Sequence, residues 1–464
     1  MPLTRRHAGE LEREATTKTQ TSGGSNPGSA TVNLFRGGEF FLKFICIHPR
    51  FASLTSHHFN ESYGYAQEFR RRGKEFLLLI NTHASPRIAA ELRARAVLDD
   101  PTFRLEWSFR ERSRRFLAML HSEVDADLVA DDCVMLTVST QLEAHALVRW
   151  LRELPRDQKP WVVILFLSDR WNRSGREEYA RQAAEFRILN AELTRLAPED
   201  ARRLIFCTLT DLLAEELGEL LGTQVELAPI PLPFGEPGLH ASAKIRPSPR
   251  LPFPFRVLRG FRGLRLSSDR PLPRVAVLGG MRREKGSHLI PDIVRACRSN
   301  VQVEFLIQLE NNDLSPEEAE RLKRVAKEPH VIVIPGQVSM PAYHDALKGA
   351  DIALFPYEII PYRKRTSGVF AEAVAYGKPV VATRGTWMAE QIEAGRAAGV
   401  ISEELRPDSV ADAIARCVRD LESLRQSALD KSAGWRKTTG LTAFVDFVEE
   451  QLARRSRGRT VSSR

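Results

Sequence analysis

The sequence has 464 residues, 43% of them hydrophobic and 27% charged, and its formal net charge at pH 7 is +9. A chain of this length exceeds one ordinary hydrophobic core and predicts two domains, with a composition that is ordinary for globular proteins. No apolar run approaches the length of a membrane span and the start of the chain has no apolar segment, so we expect neither a membrane-spanning protein nor a signal peptide.

The charge and the cysteines indicate the class of partner and the compartment. A basic chain suits anionic partners, namely nucleotide phosphates, nucleic acid or an anionic membrane surface, and does not select among them. The five cysteines show no CxxC pair and are scattered, at positions 46, 133, 207, 297 and 417. That spacing indicates reduced, buried thiols, so we expect a cytoplasmic protein rather than a secreted one.

Two segments interrupt the globular pattern. Residues 1–37 are polar and rich in Ser, Thr, Gly and Arg, which predicts a disordered tail. Residues 236–273 are dense in Pro and Arg, which predicts an interdomain linker. Within the linker, Arg and Phe alternate at 253–266 and suit peripheral contact with an anionic membrane surface. No recognisable nucleic-acid module accompanies them, which argues against nucleic acid as the partner.

Residues 38–235 alternate short apolar runs with amphipathic stretches. The runs FFLKFICI, EFLLLI, CVMLTV, WVVILFL and RLIFCT predict strands. The stretches between them predict helices at 61–72, 86–97, 110–121, 141–153, 175–196 and 211–221. Such alternation predicts an α/β domain with a parallel, Rossmann-like sheet covered on both faces, in which ligands bind at the carboxyl ends of the strands.

Two loops of this first half carry polar side chains where a ligand would bind. The long loop after the first strand holds His57, His58 and Asn60, and Asp169 follows WVVILFL. They are candidate contacts to a ligand in a cleft; alternatively they are polar loop residues, and Asp169 caps the following turn. Two adjacent histidines would need two further ligands to hold a metal ion, so we expect no metal site.

The second half, residues 274–435, opens with a strand that leads directly into a glycine turn. RVAVLGG ends in Gly279 and Gly280, and Arg282, Arg283 and Lys285 follow before a helix. A lysine at such a turn suits a bound phosphate. The spacing is neither a Walker motif nor GxGxxG, so neither an ATPase nor a nicotinamide enzyme is supported. The alternative is a strand–turn–helix unit with basic surface residues.

The rest of this half repeats the rhythm of strand and helix. Strands are predicted for VQVEFLIQL, HVIVIPGQV, DIALF and PVVAT, and helices for 315–327, 341–348, 387–395, 407–430 and 440–456.

Residues 351–387 are predicted to form a strand, a loop, a helix and a second strand. Thr366 or Ser367 can cap the helix, Gly368 lies in its first turn, and Arg365 lies just before it. The N–H groups and positive dipole of a helix start attract phosphate, and Glu372, one turn later, is placed to hold ribose hydroxyls. The alternative is a well-capped core helix with a solvated glutamate.

SGVFAEAVAYGKPVVAT resembles the donor-site helix of retaining GT-B glycosyltransferases grouped as family-4-like. The resemblance implies that Gly368 and Val369 contact the donor diphosphate and that Glu372 holds the ribose. The first glutamate of that family's pair falls on Lys364, so Glu358 would have to reach the donor sugar instead. The first-strand loop also lacks the family's glycines, having only Gly64 inside a helix.

The same resemblance extends to two other loops. MRREKG is similar to the family's G-R-L-x-x-E-K-G, in which Arg and Lys neutralise the donor pyrophosphate; Lys285 matches, and Arg282 or Arg283 would replace the arginine that falls on Gly280. PGQV resembles the loop against the nucleotide base, which implies contacts from Gly336 and Gln337. The last helix, in residues 436–464, crosses back to the first domain in family members.

Together these features imply a GT-B architecture, with two Rossmann-like domains across a cleft. The implied activity is transfer of a sugar from a nucleotide-diphosphate sugar to a glycan or lipid-linked acceptor, with retention, in glycan or cell-envelope polysaccharide biosynthesis. No cofactor or metal is expected besides the donor. The alternative is a degenerate GT-B protein that binds nucleotide or glycan as a regulator or assembly partner, favoured by Lys364 and Gly280 at motif positions.

Overall fold

The structure is a computed structural model, and it describes residues 42–51, 57–99, 106–167, 176–233, 271–336 and 338–457. Several predicted features lie outside these residues: the tail 1–37, the linker up to residue 270 with its segment 253–266, Asp169, Gln337, the last seven residues, and the side chains of His57, His58 and Asn60.

The first half forms a parallel sheet of seven strands in the order β3-β2-β1-β4-β5-β6-β7. Its strands are β1 Lys43–His48, β2 Glu75–Asn81, β3 Arg95–Leu98, β4 Cys133–Leu136, β5 Trp161–Phe166, β6 Leu204–Thr208 and β7 Val225–Leu227. Its helices are α1 His57–Arg71, α2 Pro86–Leu92, α3 Phe109–Glu123, α4 Gln141–Glu153, α5 Arg176–Leu193, α6 Pro198–Ala201 and α7 Asp211–Leu221.

The second half forms a parallel sheet of six strands in the order β12-β10-β8-β13-β14-β15, beside a short β9–β11 pair. Its strands are β8 Arg274–Val277, β9 Met281–Arg282, β10 Glu304–Leu309, β11 Asn311–Asp313, β12 Val331–Pro335, β13 Ile352–Phe355, β14 Val380–Thr383 and β15 Gly399–Ser402. Its helices are α8 Ile290–Asn300, α9 Pro316–Val325, α10 Met340–Lys348, α11 Ile359–Tyr362, α12 Gly368–Ala375, α13 Trp387–Glu393, α14 Pro407–Arg419, α15 Leu421–Thr438 and α16 Gly440–Arg457.

The central strands are buried on both faces, which explains their unbroken apolar sequence. Alternate residues of β1 enter different cores: Phe44 and Cys46 join one hydrophobic cluster, while Ile45 and Ile47 join another. This alternation follows from the two-residue period of a strand, and layers of helix on both faces supply the second half of each core. The predicted α/β class with two parallel sheets is therefore confirmed.

Three predicted helix boundaries were wrong, and five short strands were not predicted. The helix expected at 86–97 ends at Leu92, because Arg93 adopts a left-handed backbone (φ 52°) that ends α2 before β3 begins. The helix expected at 407–430 is two helices, α14 and α15, which part at Asp420. The helix expected at 61–72 begins four residues earlier, so His57, His58 and Asn60 stand in the first turn of α1 and not in a loop. Strands β3, β7, β9, β11 and β15 were missed, since each has only two to four residues.

Helix α16 lies against the first sheet although it follows the second in sequence. The residues from Leu42 onward group into one compact unit. The backbone N–H of Gly440 donates to the Ile230 carbonyl at 2.7 Å, and the Tyr65 and Phe444 rings meet at 5.7 Å between centroids. Arg72, directly after α1, forms an ion pair with Asp446 on α16 at 2.7 Å. These contacts join the two halves through α16 and α1.

Candidate functional site

The candidate site lies at the carboxyl ends of β8 and β13, which are neighbours in the middle of the second sheet. From β8 the chain proceeds to β10 and β12 on one side and then returns to β13 on the other. In doubly wound sheets the crevice at such a reversal is where ligands bind. The residues that follow these two strands therefore define the site.

Gly279, two residues after β8, brings the glycine turn against the start of α12. Its backbone is left-handed (φ 91°), and a Cβ placed there would lie 3.2 Å from Lys285 Nζ and 3.2 Å from Val369 Cγ2. Because Gly279 has no side chain, both Lys285 and the first turn of α12 can lie close to its backbone. The glycine turn, Lys285 and the first turn of α12 form one cradle.

Gly286 fixes the position of Lys285 in this cradle. Its backbone is left-handed (φ 68°), and a Cβ there would lie 1.9 Å from the Pro356 carbonyl oxygen. Any larger residue would push the turn that carries Lys285 away from the chain after β13. The motif glycine is therefore required by both conformation and space.

Two arginine side chains contact one carboxylate beside the cradle. Glu284 Oε1 accepts from Arg365 Nη2 at 2.7 Å and lies 3.3 Å from Arg282 Nη1. Burial, together with the neighbouring Arg282 and Arg365, lowers the pKa of Lys285 to about 7. Lys285 is therefore only partly protonated at pH 7, and a bound anion would raise its pKa and favour the charged form.

Arg283 and Glu358 lie at the margin of this cluster. The guanidinium of Arg283 pairs with Glu318 on α9, so Arg282 is the arginine beside Lys285. Glu358 is half-buried, its N–H donates to the Glu284 carbonyl at 2.9 Å, and burial raises the pKa of its carboxyl. Glu358 is thus held at the site by backbone, whereas Arg283 is drawn toward α9.

Helix α12 begins as predicted. Ser367 Oγ accepts from the Phe370 N–H at 3.3 Å and caps the helix. The first N–H groups, those of Gly368 and Val369, have no acceptor within the helix, and Gly368 is exposed. An anion next to Lys285 would receive both these N–H groups and the positive end of the helix dipole.

Glu372 is buried, with 7% of its surface exposed, and contacts α10. Its Oε2 accepts a hydrogen bond from the Tyr343 hydroxyl at 2.6 Å, and its Oε1 lies 3.7 Å from His344 Nε2. Burial beside this carboxylate raises the pKa of Tyr343 well above its ordinary value, so the phenol stays a donor. The sequence interpretation missed this partner, because Tyr343 stands 29 residues away without a motif.

Gln308, at the end of β10, links two loops of the site. Its side-chain oxygen accepts from the Gly279 N–H at 2.9 Å, and its side-chain nitrogen donates to the Gly336 carbonyl at 3.1 Å. Gly336 therefore lies in the loop next to the glycine turn. Gln308 was also missed, because a buried glutamine within an apolar strand carries no distinctive spacing.

Lys364, at the position of the missing family glutamate, is directed to the first half of the chain. Its ammonium pairs with Glu216 on α7, and its carbonyl accepts from Thr210 Oγ1 at 2.8 Å. The loop before α12 is thus fastened to the first half. The position that would carry the first glutamate serves here as a contact between the halves.

The matching edge of the first sheet has a different character. Glu61 on α1 is buried, with 6% of its surface exposed, and burial raises the pKa of its carboxyl to about 8. The carboxyl is therefore mostly neutral at pH 7. The burial of Glu61 was not predicted, since a single glutamate in an amphipathic helix resembles any solvated side chain.

The described residues hold neither a cluster of metal ligands nor a membrane-spanning helix. No group of three or more His, Cys, Asp or Glu side chains is placed to hold a metal ion there. Among the helices of that same part of the chain, none is long and apolar enough to span a bilayer.

Solved structures of similar shape cover nearly all of the chain. Sucrose-phosphate synthase from Thermosynechococcus elongatus has a TM-score of 0.55 at 14% identity, over 90% of this chain and 100% of that one. HepE from Anabaena in complex with UDP has a TM-score of 0.56 at 12% identity, over 89% of this chain and 100% of that one. The structure described as "Trehalose-6-phosphate from E. coli bound with UDP-2-fluoro glucose" has a TM-score of 0.58 at 12% identity, over 88% of this chain and 99% of that one.

The chain has the GT-B fold. Residues 272–420 of this GT-B chain, from the start of the second sheet to α14, match the family Glycosyl transferases group 1. No curated sequence matches the chain significantly. The predicted resemblance is confirmed by the family match and by the shared fold, and the retaining, family-4-like type is consistent with both. Together they support glycosyl transfer as the activity.

Proposed function

We propose that the protein transfers a sugar from a nucleoside-diphosphate sugar to an acceptor, with retention of the anomeric configuration. The observation that carries the proposal is the meeting of Gly279, Lys285 and Val369 within contact distance at the start of α12. A cation, open backbone and a helix N-terminus at one point suit a diphosphate. Solved structures of this fold named above hold UDP and UDP-2-fluoro glucose, which supports a uridine nucleotide as the first donor to test.

In the proposed mechanism the donor site stabilises the leaving group. The bond between the anomeric carbon and the diphosphate breaks, and negative charge develops on the phosphate oxygen that departs. Lys285, Arg282 and the N–H groups of Gly368 and Val369 would stabilise that charge. The acceptor oxygen forms the new bond on the same face of the sugar, and the proton of its hydroxyl passes to the departing phosphate oxygen. A phosphate beside Lys285 also favours the protonated lysine, so the cation is complete when it is needed.

Other residues of the site would position the donor. Glu372 would accept the ribose hydroxyls while Tyr343 holds its second oxygen, and Gly336 would line the base through its link to Gln308. Glu358 takes the place of the missing family glutamate toward the sugar. The donor is the only small molecule that this mechanism requires, with no metal or other cofactor.

The acceptor is proposed to be a glycan or a lipid-linked glycan, in polysaccharide biosynthesis on the cytoplasmic side. All five cysteines are buried free thiols, which suits a reducing compartment. Peripheral membrane contact through residues 253–266 would bring a lipid-linked acceptor to the cleft.

Mass spectrometry of the full chain with a panel of nucleotide sugars tests the proposal. We expect loss of one sugar from one donor, with release of the nucleoside diphosphate, and loss of that activity in Lys285→Ala. The second candidate is a GT-B protein that binds nucleotide without turnover, and the direction of Lys364 toward Glu216 favours it. Binding of nucleoside diphosphate with no consumption of any donor, with and without added glycan acceptors, would select this second function.

A further inference from the structure

A basic groove lies on the outer face of the first half, between side chains of α3, α4 and α5. Its cavity volume is about 740 Å³, and its lining contains one acidic residue, Glu192, and six arginines: Arg110, Arg114, Arg149, Arg152, Arg187 and Arg195. The three helices pack on the sheet face that carries Ile45 and Ile47, opposite α1 and α16. The groove is therefore separate from the proposed donor site.

Half of these arginines already have acidic partners. Glu192 pairs with Arg152 and lies 3.0 Å from Arg195, and Glu153 lies 3.0 Å from Arg149. These two carboxylates offset part of the charge of the three arginines, and Arg110, Arg114 and Arg187 add three further positive charges to the groove.

Arg110, Arg114 and Arg187 form no ion pair with any residue in the part of the chain that the structure describes. Arginines next to them on α3, outside the groove, do have partners: Arg112 lies 3.4 Å from Glu185, and Arg115 lies 3.5 Å from Glu111. The excess of positive charge is thus confined to the groove and is not a general property of α3. Like charges held together without counterions raise the affinity of the site for an anion.

The interior of the groove is built for a ligand of modest size. Ala184, Ile188 and Ala191 share one face of α5 and form its small apolar side. His145 lines the cavity, is 5% exposed, and has its Nδ1 2.7 Å from Ser113 Oγ. Burial lowers the pKa of His145 to about 4, so its ring is neutral at pH 7 and serves as a hydrogen-bonding group.

We propose that this groove binds a small, water-soluble ligand that carries two or more phosphate groups. The planar guanidinium fork matches phosphate oxygens in pairs, and three such forks, with no ion pair among the described residues, face one cavity. The cavity volume lies within the range of small-molecule sites. This site is independent of the donor site and would serve a ligand other than the sugar donor.

Calorimetric titration of the full chain with inorganic triphosphate tests the proposal. We expect two sites in the wild-type protein, since triphosphate also suits the cradle at Lys285. Lys285→Ala removes the cradle site, and the double variant Arg114→Gln/Arg187→Gln weakens the outer site by roughly tenfold or more. Arg115→Gln is the matched control, because Arg115 is an exposed arginine of the same helix that lies over Trp107 and outside the groove. Its titration should match that of the wild type within about twofold.

The possible results separate the two sites. If the donor proposal fails, the wild-type protein should show no binding event that depends on Lys285. The binding event that depends on Arg114 and Arg187 would still be seen. The proposal for the groove is overturned if the wild type shows no second site, or if Arg115→Gln weakens it as much as the double variant. It is also overturned if phosphatidylglycerol vesicles bind through Arg114 and Arg187 while inorganic triphosphate does not.

Discussion

The two sheets present different edges to the cleft. At the second sheet, Gly279 and Gly286 let backbone, Lys285 and α12 meet within a few ångströms. At the first sheet, the corresponding helix α1 carries the buried Glu61, and its only glycine, Gly64, faces Leu441 of α16. The edge of the second sheet thus offers backbone groups and positive charge, whereas the edge of the first sheet offers a buried side chain and a close helix contact.

Burial acts on the charged groups of both edges in opposite directions. It lowers the pKa of Lys285 to about 7 and raises that of Glu61 to about 8, so both groups lose charge near pH 7. An incoming phosphate restores the charge of Lys285, whereas a like-charged ligand would repel an ionised Glu61. The contrast explains why we place the anionic donor at the second sheet.

The largest effect on stability is expected from a change in the backbone at the edge of the second sheet. Gly286→Ala places a Cβ against the Pro356 carbonyl at a left-handed position, and we expect the free energy of unfolding to fall by about 3 kcal/mol or more. Gly336→Ala is the matched control, since Gly336 has a similar φ of 63° with open space around it, and should lose only about 1 kcal/mol. Denaturant titration compares the two; equal losses would show that the close approach at Gly286 is unimportant.

Glu372 tests the ribose side of the same edge. Glu372→Gln weakens charge-assisted hydrogen bonds, and nucleotide affinity should fall by about 1.5–3 kcal/mol. Tyr343→Phe removes only the hydroxyl that holds this carboxylate, so it should lower stability by about 1 kcal/mol with a smaller loss of affinity. Calorimetry and denaturant midpoints on both variants separate the roles. If Glu372→Gln lost stability without selective loss of affinity, Glu372 would be a core residue and not a ribose contact.

The second edge was largely predictable from sequence because its chemistry is local. The glycine turn with Lys285 forms one short segment and Ser367 to Glu372 forms another, so the residues of each could be picked out from sequence. The resemblance to the glycosyltransferase motifs, and not spacing alone, implied that both segments serve one donor. Partners distant in sequence were not predictable: Tyr343 on Glu372, Gln308 between two glycine loops, and Glu216 on Lys364 arise only when the strands assemble.

The first edge and the short strands were less predictable for physical reasons. The fold class followed from apolar strands, but β3 begins only because Arg93 ends α2 with a left-handed residue, which arginine rarely adopts. The sequence did not show which of Arg282 and Arg283 lies beside Lys285. The structure shows it, because Arg282 lies near Glu284 whereas Arg283 pairs with Glu318 on α9.

The protonation of Lys285 can be measured through the protons taken up when a nucleotide binds. Because the pKa of Lys285 is about 7 in the free protein, the lysine is mostly neutral at pH 8, and binding a phosphate raises its pKa. Nucleoside diphosphate binding at pH 8 should therefore take up about one proton, measured by calorimetry in buffers of different ionisation enthalpy. Lys285→Arg stays charged throughout and should abolish the uptake. Equal uptake in both proteins would assign the proton to another group.

The smallest effect is expected at the contact between the halves. Lys364 and Glu216 are both partly exposed, so Lys364→Ala should lower the free energy of unfolding by about 0–1 kcal/mol. Lys364→Glu places like charges together, and Glu216→Lys in the same protein should restore stability. A loss of several kcal/mol in Lys364→Ala would mean that this pair holds the halves together.

The central claim is that a nucleoside diphosphate binds at the edge of the second sheet. Calorimetric titration with UDP of the wild type, Lys285→Ala and Arg283→Ala tests it most directly, because Lys285 lies in the cradle and Arg283 pairs with Glu318. We predict binding to the wild type, roughly tenfold or weaker binding to Lys285→Ala, and affinity within about twofold of wild type for Arg283→Ala. Equal affinity of all three proteins for UDP would contradict the account.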